Sequence, residues 1–397
     1  MGKAVLGVVV LLADLVLLVM LVINGIRWGV YVKQKKDGQT IKRTVKRNGI
    51  YLLVGVCLFG ILIFITQISV STPKVKDSDG NTIDGSIAEL KKVELNGHNE
   101  WISIRGENKD APILLFLAGG PGGSQLAATR FSLGELEQHF VVVNWDQPGS
   151  GKSAGCMKTK DITVNTYIED GIALTEYLQE RFGQKKIYLV GESWGSALGI
   201  FLASRKPDYY AGVIGTGQMV AFKETETYDY QKAMEIAKEK GDNDFIKKLE
   251  RQGEPPYYSG NIAMTSQTYY NYLSTYMMKN PEIKNGSYHT FRDMLASEYG
   301  LLDSVNYLLG LVRTFNVVYP QLYDIDLRKD YTKVEVPVYF FLGRHDINAP
   351  TAVAEDYYKL LNAPKKELVW FEHSGHSVWV NEPDLFVAET LRVFGQK

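Results

Sequence analysis

Cysteine is almost absent, with Cys57 and Cys156 the only two among 397 residues. That leaves neither a disulfide framework nor a cysteine metal set, so stability must come from a packed core. Charge is missing from two stretches near the start. Residues 4–23 are apolar except for Asp14, and residues 50–70 contain no charged side chain. Each is long enough to cross a hydrocarbon layer of ~30 Å, which predicts two membrane spans. A cleaved signal peptide with Lys3 as its basic end is the alternative for the first. Its apolar run exceeds the usual ~7–15 residues, however, and no A-x-A site closes it.

Acidic residues are scarce between the spans. Residues 24–49 hold Arg27, Lys33, Lys35, Lys36, Lys42, Arg43, Lys46 and Arg47 against Asp37 alone. Short basic loops stay cytoplasmic, so both chain ends, and everything after residue 70, are expected on the extracytoplasmic side of a cell membrane. Beyond residue 49 the excess reverses to thirty-five basic and forty-three acidic residues, which makes nucleic acid an unsuitable partner. There is no internal repeat and no low-complexity tract.

Residues 71–86, rich in Pro, Asp, Ser, Gly and Lys, read as an exposed linker. Partly alternating runs within 93–104, broken at Asn96-Gly97, predict an antiparallel hairpin. Short buried strands are expected at 113–117, 141–144, 187–190, 213–215 and 336–342, with helical patterns between most of them, notably 164–181 and 197–205. Such alternation indicates a mainly parallel sheet with helices on both faces. From 218 to 330 the pattern is helical without strands, as an inserted cap would be, and it holds thirteen of the twenty-four tyrosines. The expected organisation is a hairpin over 1–70, a linker over 71–86, an α/β core over 87–217 and 331–397, and a helical cap over 218–330.

The sharpest chemical signal is Gly191-Glu192-Ser193-Trp194-Gly195, placed directly after an apolar strand and before a helical pattern. A serine on such a turn presents its hydroxyl at the carboxyl end of a sheet, and the glycines remove side chains that would clash. A serine hydroxyl needs a base to take its proton and a group to orient that base, in the order Ser, acid, His. Asp346 follows the strand at 336–342, and His376 follows the apolar run at 368–371. Asp324, Asp326 and Asp330 compete for the acid, and His345 and His373 for the base. Oxyanion donors are expected from the Trp194 backbone and from the loop Gly119-Gly120-Pro121-Gly122-Gly123. A phosphate loop there lacks the following Gly-Lys-Ser/Thr or the G-x-G-x-x-G pattern.

The loop 119–122, the run Asp146-Gln147-Pro148-Gly149-Ser150-Gly151-Lys152-Ser153 and the Ser193 motif together resemble the proline iminopeptidase branch of the α/β-hydrolases, over roughly 87–397. The resemblance implies an α/β-hydrolase fold with a helical cap. It gives Ser193, Asp346 and His376 the triad roles, and Gly120 with Trp194 the oxyanion hole. It further implies removal of an N-terminal residue from short peptides, with cap carboxylates, best matched by Glu224 and Glu226, holding the free amine. Ala118 stands where the family usually has His, Pro148 where it usually has Arg, and Glu192 where Gly is common. The first two belong to loops that shape the site, so an esterase or amidase acting on another small extracytoplasmic substrate stays open. Neither cofactor nor metal is expected. Other classes fit less well: a hydrolase-like receptor would not need a complete triad, and a transporter would need more intramembrane polarity than Asp14 supplies.

Overall fold

The computed structural model describes residues 2–395. The chain divides into two compact units, one of Met1–Ser71 with Met294–Ser304 and the other of Thr72–Asp293 with Val305–Lys397.

The first unit is built on a helical hairpin, α1 (Gly2–Lys33) and α2 (Gln39–Ile68). Both are long and apolar enough to cross a membrane. Their leucines, valines and isoleucines mostly point outward, as side chains solvated by lipid would. The stretch expected as a basic loop at 24–49 is largely helical instead. Lysine and arginine are good helix formers, so α1 and α2 continue through their basic ends and the turn shrinks to 34–38. Asp14 lies over Gly55 of the facing helix, where any Cβ would overlap its carboxylate. The only acid in the first apolar run therefore faces the hairpin partner.

Residues 294–304, expected as part of the cap, group with the hairpin. Lys3 Nζ donates to Ala296 O at 2.8 Å, the Ser71 N–H to Ser297 O at 3.1 Å, and Gln67 Nε2 to Asp303 Oδ1 at 3.1 Å. These contacts satisfy polar groups at helix ends, a pairing that no sequence periodicity encodes.

The second unit is organised by an eight-stranded sheet in the order β1-β2-β4-β3-β5-β6-β7-β8. Its strands are β1 (Ile87–Leu95), β2 (His98–Gly106), β3 (Ile113–Leu117), β4 (Val141–Asp146), β5 (Ile187–Glu192), β6 (Tyr210–Thr216), β7 (Val338–Gly343) and β8 (Lys366–Phe371). The β1–β2 hairpin turns at Asn96-Gly97, both with positive φ, and β2 is also antiparallel to β4; all other pairs are parallel. The inner strands are covered on both faces, which is why they read as largely apolar runs, whereas the edge strand β8 is half-buried. Alternate residues serve opposite cores. Ile113, Leu115 and Leu117 pack with the helices Val164–Phe182 and Trp194–Arg205 on one side, while Leu114 and Phe116 meet Trp379 and Phe386 on the other.

Between β6 and β7 the chain forms helices, chiefly Phe222–Lys240, Asn243–Gln252, Ile262–Met278 and Leu301–Val318. The first three surround a separate apolar cluster of Tyr230, Ala233, Ile236, Leu249, Tyr269 and Leu273.

Candidate active site

The turn after β5 carries Ser193 at φ 52° and ψ −121°, a region that a non-glycine residue occupies only when its surroundings enforce it. The Ser193 N–H donates to Thr216 O at 2.9 Å, and Ser196 Oγ donates to Ser193 O at 2.6 Å. Both flanking glycines are required: a Cβ on Gly191 would overlap Gly195 O, and one on Gly195 would overlap Leu117 O. Behind the turn, Trp194 Nε1 donates to Gln147 Oε1 at 3.0 Å and Gln147 Nε2 to Ala118 O at 3.2 Å. One buried amide thus ties the serine turn to the glycine loop. That loop lies close by, since a Cβ on Gly119 would sit 3.4 Å from Ser193 Cβ.

Loops at the carboxyl ends of β7 and β8 bring Asp346 and His376 together, with Asp346 Oδ2 2.9 Å from His376 Nδ1. The other Asp346 oxygen accepts from the N–H groups of Asn348 and Ala349 at 2.8 and 3.0 Å. With Nδ1 engaged, Nε2 is the nitrogen free to exchange a proton. The imidazole rests against main chain, because Gly217, at φ 51°, would place a Cβ 2.7 Å from His376 Cε1. Burial pushes the imidazole pKa down, but the Asp346 charge, its hydrogen bond and the Glu192 charge outweigh this, leaving it above the ordinary histidine value.

Ser193, His376, Gly120 and Trp194 all line one cavity of about 350 Å³, within the range of small-molecule sites. Much of its remaining wall is apolar or aromatic, including Phe222, Tyr270, Leu311, Val312 and Phe315. Burial raises the phenol pKa of Tyr270, Tyr288, Tyr307 and Tyr319, so these lining groups are neutral.

The competing residues lie elsewhere. His345 Nε2 sits 3.4 Å from Glu282, and His373 contacts the Glu282 carbonyl, both in a surface depression apart from the cavity. Asp326 caps its own helix and pairs with Arg328, and Asp324 lines a different depression with it. Neither cap glutamate reaches the cavity wall. Glu224 is half-exposed and pairs with Arg328. Glu226 is buried, accepting from Ser266 and from Tyr269 Oη at 2.6 Å; burial raises its pKa although those hydroxyls lower it. Asp229, one turn further on, is also fully buried, and its pKa is raised by desolvation and by the charges of Asp346 and Glu226. Glu192, by contrast, lines the cavity; in the sequence it stood out only as a departure from the glycine common at that position, with no role attached.

A strained serine turn between a parallel strand and a helix, beside a histidine–carboxylate pair at the same end of the sheet, is the arrangement of an α/β-hydrolase. The α/β-hydrolase fold family model matches residues 112–243. A probable aminopeptidase of Bacillus subtilis (strain 168) is 32% identical over 316 residues, covering 77% of this chain and 96% of that protein. A proline iminopeptidase of Saccharolobus solfataricus is 25% identical over 308 residues, covering 76% of this chain and 89% of that protein. The crystal structure of a proline iminopeptidase-related protein from Thermus thermophilus has a TM-score of 0.53 at 19% identity, covering 78% and 98% of the two chains. The chain belongs to the α/β-hydrolase family, in the prolyl aminopeptidase-like branch.

Proposed function

We propose that this protein is a membrane-anchored serine aminopeptidase that removes N-terminal residues, proline among them, from short extracytoplasmic peptides through an acyl-enzyme. The observation that carries the reading is the Asp346–His376 pair, whose histidine shares one small cavity with the strained Ser193. Ser193 Oγ attacks the carbonyl carbon of the first residue while its proton passes to His376 Nε2. Main-chain N–H groups of Gly120 and Trp194 hold the resulting oxyanion. The tetrahedral intermediate collapses, the C–N bond breaks, and the departing amine takes the proton from His376. Water then adds to the ester, again giving its proton to His376, and Ser193 is regenerated as the free amino acid leaves.

A panel of aminoacyl-arylamides and acyl esters tests the reading. Free-amine prolyl and other aminoacyl-arylamides should be turned over, and N-acetylation should lower kcat/KM by about tenfold or more, the worth of a lost charge-assisted hydrogen bond. Equal values with and without the acetyl group would remove the aminopeptidase assignment. The esterase or amidase reading has its own support, because Glu224 and Glu226 lie off the wall of a largely apolar cavity.

The topology follows from the cations at the inner ends of α1 and α2. Protease added to intact cells should digest the region after residue 72 and spare the turn at 34–38. The reverse protection pattern would place the hydrolase inside.

A further inference from the structure

One acidic side chain lines the cavity. Among the described residues that line it there is no lysine and no arginine, and Glu192 is the single carboxylate. Glu192 is 1% exposed. Its Oε1 accepts from Tyr288 Oη and its Oε2 from Gln125 Nε2. Tyr288 in turn accepts from Ser377 Oγ at 2.5 Å, next in sequence to His376. These neutral donors orient the carboxylate without cancelling its charge, and they occupy two of its roughly four acceptor positions. Charge on a carboxylate so withdrawn from water is costly unless a cation joins it.

The covalent geometry of the proposed substrate says where that cation must sit. In a peptide with a free N-terminus the α-nitrogen lies two bonds from the scissile carbon, about 2.5 Å away. Ser193 Oγ must approach that carbon to about 3–3.5 Å. The ammonium is therefore confined to roughly 6 Å around the nucleophile, the region that the neighbouring residue of the same turn can serve. Glu226 and Asp229 are buried off the cavity wall, and Glu224 is committed to Arg328.

We infer that Glu192 is the substrate-ammonium anchor of this hydrolase and makes it selective for acyl groups bearing a cationic amine next to the scissile carbonyl. The inference rests on the aminopeptidase reading for its natural substrate. Glu192 would also favour the imidazolium form of His376, so loss of its charge affects every substrate to some degree. Its anchoring role is read from the ratio of substrates, in which that common effect cancels.

The test uses the full-length enzyme in detergent micelles or lipid discs at about pH 7, where an α-amine of pKa ~7.7–8.0 is mostly protonated. Prolyl-arylamide is compared with its deamino counterpart, cyclopentanecarbonyl-arylamide, or with the matching phenyl ester if the arylamide is too slow. Glu192→Gln should lower the free-amine to deamino ratio of kcat/KM by about 10- to 100-fold, the worth of a charge-assisted hydrogen bond. Glu192→Asp, which keeps the charge, should recover part of it. As a measurement independent of peptidase activity, prolinamide should inhibit wild-type hydrolysis of the phenyl ester competitively, with its Ki raised by a similar factor in Glu192→Gln. An unchanged ratio in a folded Glu192→Gln protein, a Glu192→Asp ratio no higher than that of Glu192→Gln, or a ratio that falls in Glu226→Gln instead, overturns the inference and leaves the aminopeptidase reading standing. A wild-type enzyme indifferent to the amine in turnover removes the aminopeptidase reading. If prolinamide inhibition still depends on Glu192 in that case, the anchor survives as a cation site.

Discussion

Ser193→Ala should lower kcat by about six orders of magnitude while leaving the fold intact. The size follows from the proposed mechanism, in which loss of Oγ removes the acyl-enzyme and leaves only binding and oxyanion stabilisation to accelerate attack by water. In serine hydrolases that act through such a triad, removing the nucleophile costs on the order of 10⁶ in kcat. The fold should tolerate the change, because Ser193 is held by main-chain contacts to Thr216 and Ser196 and, among the described residues, no hydrogen bond from its side chain supports the turn. Labelling by a fluorophosphonate should vanish with activity, and the thermal midpoint should stay near that of the wild type. Stoichiometric labelling of the Ala variant would show that another residue is the nucleophile.

Asp346→Asn should be next in size, at about 10⁴ in kcat, or roughly 5.4 kcal/mol of barrier. A carboxylate on Nδ1 fixes the tautomer that leaves Nε2 able to accept a proton, and it stabilises the imidazolium once formed. Asparagine fits the same space and can still accept from Asn348 and Ala349, but it removes the charge. The pH profile supplies an independent signature. In the proposed mechanism His376 must be neutral to act as base, so activity should fall as pH drops through its pKa. Burial lowers that pKa, but Asp346 first and then Glu192 raise it further, so the wild-type acidic limb of kcat/KM should lie above the ordinary histidine value of 6.5. In Asp346→Asn the largest raising contribution is gone, and the limb should move to lower pH. A limb that stayed in place would mean that the titrating base is a different group.

The inner parallel strands were legible because they are almost wholly buried, so β3 appears at its full extent as the five apolar residues of 113–117. Edges were harder. Strand β6 starts at Tyr210, earlier than its Val213-Ile214 pair suggests, because Tyr210 already pairs with Ile187 of β5 ahead of a register shift. The serine turn was legible because its constraint is local, requiring glycine at fixed offsets from a strand end. Glu192 carried no such mark. Its partners Gln125 and Tyr288 lie 67 and 96 residues away and join it only through the fold. Glu224 and Glu226 show the complementary difficulty. Two residues apart on a helix they point roughly 200° from each other, so one reaches solvent and Arg328 while the other turns inward, and a charged helix gives no hint of which.

The grouping of residues 294–304 with the hairpin bears on how the hydrolase can be produced as a soluble enzyme. Cutting the chain after residue 71 looks like the removal of an anchor, but it also strips a docking partner from the middle of the remaining polypeptide. Leu301 packs against Gly7, the Leu301 N–H donates to Thr66 Oγ1, and Asp303 accepts from Gln67. A shortened protein would leave these groups of residues 294–304 facing water. The two apolar helices and residues 294–304 are better handled together, as one compact unit, than as a tether and a stretch of cap.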